Sequence, residues 1–309
     1  MNARARKLEP RPGPWRDKRG ERIGMCLTGG LGPELCGYDR LLALAEPALR
    51  EALAEVGVDG APLVVALPAR DRPDDERRLD SALVGDLARR LGGAIDVGRS
   101  LAVRADHAGG VLAAERALGL LAAGARAVVV GGVDSYCHPA VLRWLDAQGR
   151  LVSLEAAEGL VPSEGAAFFV LRSQTEAGEM AEPRPSSWLT HAASTLGPTG
   201  SEAVPAMTRL LASIASETGP IGWMANDVTN EPERISEWTR VLVSGLMAPD
   251  VTEQRLPSDF GDLGAASGPT AVVVASVLHR TRCAPADACV IALRSRGPER
   301  GVLRVARTP

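Results

Sequence analysis

ADHAGGVLAAERALGLLAAGARAVVVGGVDSY, residues 105–136, decides the fold class. Ala108 to Ala123 is a run of small and apolar residues suited to a tightly packed helix, and Ala127 to Val133 follows as a strand of consecutive valines covered on both faces. A helix feeding a fully buried strand is the crossover unit of a parallel sheet. Working outward, Val97 to Val103 and Leu63 to Leu67 read as further strands, and Leu41–Val56 and Glu76–Leu91 as helices. Arg22 to Leu27 begins the series as a short strand, and Phe168 to Arg172 closes a first half near residue 174. Glu176 to Pro185 has linker composition. Residues 1–21 form a basic, proline-rich arm, expected to be disordered or draped on the surface.

The second half repeats the first. EPALREALAEVGVDGAPLVVALPARDRP, from Glu46, parallels VPAMTRLLASIASETGPIGWMANDVTNEP, from Val204, in helix, glycine turn, strand and polar loop. ADHAGGVLAAERAL, from Ala105, parallels GAASGPTAVVVASVL, from Gly264. Such a duplication predicts an α/β fold of two pseudo-twofold halves, 22–174 and 186–309, joined by the 175–185 linker. Each half is expected to carry a five-stranded mixed sheet, with the Gly109 and Gly264 helices back to back in the middle.

With 35 basic and 38 acidic residues, the 309-residue chain has a net charge of −3, which gives no overall footprint for nucleic acid or an anionic membrane. No stretch approaches a membrane-spanning length. Cys26, Cys36, Cys137, Cys283 and Cys289 lack the C-x-x-C spacing of a zinc site, and their odd number fits a reducing cytoplasm without a disulfide framework. No resident cofactor is expected. The glycine-rich turn Thr28–Pro33 fits neither G-x-G-x-x-G nor the P-loop and reads as a connecting loop.

Three segments resemble the β-ketoacyl synthase branch of the thiolase superfamily. AGARAVVVGGVDSY (123–136) resembles the segment after the nucleophile-bearing helix, and GLVPSEGAAFFVLRS (159–173) resembles the G-x-x-P-G-E-G-A-A motif, with Ser163 where a glycine is usual. FGDLGAASGPTAVV (260–273) resembles the G-H-x-x-G-A-A-G segment. The resemblance implies a thiolase-like, layered α/β/α/β/α fold. It places the nucleophilic cysteine at His107, within about one residue, and the two catalytic histidines at Asp227 and Asp262. Asp106, Gly109, Gly261 and Gly297 then fall around the acyl-binding space, and Arg296–Gly301 loosely matches a glycine-rich loop beside the nucleophile. The implied substrates are thioesters of acyl carrier protein or coenzyme A. Val97 to Val103 would pair across an interface in a homodimer or in a heterodimer with a synthase-like subunit.

Condensation needs a thiolate to accept an acyl group and neutral imidazoles to stabilise enolate and oxyanion. An ionised aspartate at either histidine position repels that developing charge. Other chemistry rests on His107 as a base or covalent acceptor oriented by Asp106, on an acid/base pair or metal site that Asp227 and Asp262 form with it, or on Cys137, beside His138 at the same end of the sheet. The corresponding bland roles are helix capping for Asp106 and Asp262, a solvated loop for Asp227, a surface-loop or packed position for Cys137, and a solvated loop and helix start for Arg70–Arg78. Three functions follow: a noncatalytic acyl-binding or partner subunit in fatty-acid or polyketide-type metabolism, an acyltransferase or thioester hydrolase with an altered nucleophile, or a structural or regulatory interaction protein.

Overall fold

In a computed structural model, described for residues 9–56, 60–153, 156–173, 186–197 and 204–308, two sheets lie either side of a central pair of helices. The expected linker lies outside the described residues.

In the first half, strands β3 (Leu63–Leu67), β4 (Leu101–Arg104), β5 (Ala127–Ser135) and β6 (Glu164–Arg172) form a sheet in the order β4-β3-β5-β6. The first three are parallel and β6 is antiparallel to β5. Both β3 and β5 are buried along their whole length, as expected of strands covered on two faces. The second sheet runs β7-β11-β10-β8-β9, with β7 (Ser187–Leu196), β8 (Ile221–Asn226), β9 (Met247–Arg255), β10 (Ala288–Arg294) and β11 (Glu299–Arg307).

The first sheet therefore has four strands rather than five. Arg22–Met25 (β2) pairs with β1 (Arg11–Arg16) in a separate hairpin and touches the sheet through one bridge, Cys26 to Ser163. The hairpin buries Ile23 and Met25 with Tyr136, Val141 and Leu142, where an apolar surface is available, so residues 11–21 are draped on the surface as an ordered ribbon. Val97–Arg99 is a 3₁₀ turn capped by Asp96, leaving only Leu101–Arg104 as strand. The expected helix over 76–91 is divided at Ala82 into α2 (Arg78–Ser81) and α3 (Leu83–Arg90), the long helix before them being α1 (Gly37–Val56).

At the centre, α4 (Gly109–Ala122) crosses the last helix, α9 (Ser267–Arg280). Between them in sequence lie α5 (Pro139–Ala147), α6 (Val204–Thr218), α7 (Pro232–Leu242) and α8 (Leu256–Phe260). Gly110 and Gly268 sit at the α4–α9 crossing: a Cβ on Gly110 would lie 2.6 Å from Pro269 Cδ, and one on Gly268 would lie 3.2 Å from Gly110 Cα. Only glycine lets these backbones approach so closely. The crossing holds the N-terminal ends of both helices against the C-terminal ends of the central strands.

Candidate functional site

The polypeptide leaves β4, turns sharply through Ala105 and Asp106, and enters α4 by way of a 3₁₀ turn at Asp106–Ala108. Asp106 has φ +54°, in the left-handed region that a non-glycine residue adopts only under constraint. The restraint comes from the other half, where Ser295, just beyond β10, donates to Ala105 O and accepts from Ala108 N at 2.9 Å. Ser295 is held in turn by Arg300, whose guanidinium donates to the carbonyls of Ser295, Gly297 and Glu299 and to Glu237. The 295–300 loop thus borders the His107 position, while Gly297 contributes a carbonyl to the Arg300 clasp.

His107 is buried between two carboxylates. Its Nε2 lies 2.6 Å from Asp262 Oδ1 and its Nδ1 3.1 Å from Asp106 Oδ2. Burial disfavours the imidazolium, but the Asp262 and Asp106 carboxylates outweigh it and hold the pKa well above the ordinary histidine value, against the opposing charge of Arg234. Both carboxylates remain ionised, held below the usual aspartate range by His107 against the cost of burial. Asp262 also accepts from Gly264 N at 2.9 Å, so it caps the turn into α9 as well as gripping the imidazolium. Asp106 makes no cap contact; the strained turn directs its carboxylate to His107.

The pairing continues into the second half. Arg234 of α7, with Nη2 3.4 Å from His107 Nδ1, reaches Asp227 at 3.2 Å and Glu231 at 3.2 Å, and Glu231 takes Arg150 of the first half at 2.6 Å. Asp227 is buried and accepts from Arg294 N at 3.0 Å, so it is an ion-paired interior residue and not a solvated loop residue. The three positions 107, 227 and 262 do converge, but with charges paired and the space filled. Tyr136 lies beside this set; burial and the carboxylates of Asp262, Asp106 and Asp134 push its pKa well up.

Arg72 also departs from the sequence expectation. It is buried, donating to Asp134 at 2.6 Å, to Asp74 and to Ser135 O, because Asp134, near the end of β5, is itself fully buried and its charge needs a cation. Asp134 Oδ2 accepts from Ala265 N at 2.8 Å, joining the halves, and burial lifts its pKa to about 6 although Arg72 opposes the rise. Gly264, at φ +51°, packs directly on that carboxylate.

Cys137 is buried and its surroundings differ from those of His107. Burial leads the rise of its thiol pKa to about 12, with Arg40 opposing. It does not pair with His138, whose Nδ1 accepts from Ala140 N to cap α5. Glu164, in the PSEG segment, forms a bidentate pair with buried Arg40 at 2.5 and 2.7 Å and accepts from Ser135 and Thr28. Gly261, at φ +72°, leaves no room for a side chain against Ser163, whose Cβ would be 2.8 Å away. Gly109 is packed on Ala66, 3.2 Å from where its Cβ would stand.

Sequence reasoning missed Arg234, Arg72, Glu231 and Ser295. A basic residue two after the proline of the DVTNEPERI segment was the only signal for Arg234, and it looks like any solvent-facing helix residue until the fold buries it.

Two duplicated α/β halves joined across a glycine crossing, with a strained strand-to-helix turn at their junction, define a thiolase-type fold. The model for the β-ketoacyl synthase N-terminal domain matches residues 79–177. Among solved structures, the ketosynthase of AntDE:AntF, a complex with a type II acyl-carrier protein, superposes with TM-score 0.72 at 15% identity over 96% of this chain and 92% of that one. The ishigamide ketosynthase/chain length factor gives 0.67 at 16%, covering 93% and 87%. The oxazolomycin ketosynthase domain from Streptomyces albus JA3453 gives 0.65 at 14%, covering 88% of this chain, which spans only 60% of that one. No curated protein matches the sequence. The chain thus has a ketosynthase-like fold, and its residues 79–177 match the β-ketoacyl synthase N-terminal domain; at these identities the structural likeness is one of fold.

Proposed function

We propose that this protein is a noncatalytic synthase-like subunit that binds an acyl chain or a synthase partner in fatty-acid or polyketide-type metabolism. One observation carries the reading: the position that the resemblance gives to a nucleophilic cysteine holds an imidazolium with both ring nitrogens directed at carboxylates. Such a group is a poor base near neutral pH and has no free N–H for an enolate or oxyanion. Cys137 offers no thiolate, since its pKa stands at about 12. The AntDE:AntF ketosynthase in complex with its acyl-carrier protein and the ishigamide ketosynthase/chain length factor, both similar in fold, support a carrier or synthase-like partner for this chain. Dimerisation through β4 is supported by its place at the edge of the first sheet and by exposed Val97 and Leu101. Among the described residues no helix is long and apolar enough to cross a membrane; we assign the protein to the cytoplasm on its free cysteines.

Incubation with acyl- and malonyl-coenzyme A, followed by intact-mass spectrometry and carbon dioxide release, tests the reading. Neither an adduct nor decarboxylation is expected. A stable acyl adduct on Cys137 or His107 overturns it in favour of an altered acyltransferase or hydrolase, the reading that the constrained backbone at Asp106 favours.

A further inference from the structure

Charge is unevenly divided along this chain. Residues 1–22 hold eight cations, Arg4, Arg6, Lys7, Arg11, Arg16, Lys18, Arg19 and Arg22, against Glu9, Asp17 and Glu21, a net +5. Within a total of −3, the remaining residues therefore carry −8, and both lysines of the chain lie in the basic stretch. In the described part of that stretch, Arg11, Arg16, Lys18, Arg19 and Arg22 are all exposed.

These cations are displayed on a fixed ribbon. Ile23 and Met25 anchor β2 on α5, with Trp15 of β1 packed against the same cluster, and Lys18 N donates to Asp146 at 2.7 Å. The turn is closed by Asp17, which accepts from Arg19 N and Glu21 N at 2.9 Å each, so its carboxylate is engaged with backbone. Arg16 is steered by a hydrogen bond from Nη1 to Gly20 O at 2.5 Å. On the outward face Arg16 stands directly opposite Arg22 across the ladder. Like charges in that position repel and weaken a hairpin, and only an anion placed between them reverses the sign. The folded chain maintains this arrangement by burying the other face.

We propose that the β1–β2 hairpin is a docking surface for a protein partner that presents clustered carboxylates, with Arg16 and Arg22 as the central pair. This does not depend on the acyl-chain reading above. Arginine forks match carboxylates in bidentate geometry, and a rigid display of them loses little side-chain freedom on binding. An acidic protein fits better than a nucleic acid or a lipid surface because the −8 carried by residues 23–309 repels an extended duplex or an anionic bilayer, whereas a short run of carboxylates can meet the ribbon alone.

The test uses the full chain and a labelled poly-glutamate peptide as probe, read by fluorescence anisotropy. The R16E/R22E variant should bind about tenfold more weakly than wild type, and added salt should weaken wild-type binding. R116E/R209E, which makes the same change in net charge at exposed residues outside the hairpin, should bind within about twofold of wild type. K18Q/R19Q, altered only in the turn, should show an intermediate loss and keeps the test available if R16E/R22E does not fold. The proposal is overturned if wild type does not bind the peptide, or if both glutamate double variants lose binding equally. Tighter binding of duplex DNA or phosphatidylserine vesicles than of the peptide also overturns it.

Discussion

Replacing His107 by alanine removes the cation that two buried carboxylates share. Asp262 retains Gly264 N and Asp106 retains no hydrogen bond to α4, while Asp106 Oδ1 and Asp262 Oδ2 have no hydrogen-bond partner even in the intact protein. Breaking a buried ion pair costs about 3–5 kcal/mol, and Arg234 nearby offsets part of it, so His107→Ala should destabilise the fold by about 3 kcal/mol. For a chain of this size that is a fall in Tm of about 5 °C. The effect has a pH window. The raised imidazole pKa means that the His107 contribution is fully present below the unfolded value of about 6.5 and is lost as pH rises through the folded one. The lowered carboxylate values mean that the Asp106 and Asp262 contributions are present above about 3.9 and are lost as pH falls through the folded ones. The gap between wild type and variant should therefore be widest from about pH 4 to 6.5 and close above it. Chemical denaturation across pH 4–9, alongside a thioester-cleavage assay, measures this. Equal stability of the two proteins at pH 6 would refute the ion-pair argument. Loss of a wild-type thioesterase activity with unchanged stability would mean that His107 serves catalysis.

Asp134→Asn should destabilise the protein at pH 7, because its amide nitrogen cannot accept from Arg72 or Ala265 in place of the second carboxylate oxygen. The raised Asp134 pKa of about 6 means that wild type gains about 3 kcal/mol from this group as pH falls through 6 toward 4, and the variant should lack that slope in a stability-versus-pH series. Gly110→Val should cost about 2 kcal/mol or more by forcing α4 away from Pro269, seen as a lowered denaturation midpoint. Arg40→Met should cost about 3–5 kcal/mol by leaving Glu164 buried without its cation, and the further change Glu164→Gln should recover part of it.

The extent of what was legible differs element by element. β3 and β5 were plain in the sequence because a strand buried on both faces must be apolar throughout, and the repeat around Gly109 and Gly264 marked the two central helices. Arg22–Met25 misled because a four-residue strand carries no record of its partner: its apolar residues are buried equally well in a hairpin against α5. Glu76–Leu91 has a helical pattern that says nothing about the interruption at Ala82.

The sequence alone determined the duplicated α/β architecture, its resemblance to synthases, and the absence of cysteine at position 107, since these reside in local pattern and residue identity. The resemblance also assigned His107, Asp227 and Asp262 to the corresponding segments. Only the tertiary structure decided what they form. A charged side chain has the same sequence signature in water as in the interior, and its meaning depends on which opposite charge the fold brings within reach. Burial pairs His107 with Asp106 and Asp262, Arg234 with Asp227 and Glu231, and Arg72 with Asp134, across separations in sequence that no local pattern encodes.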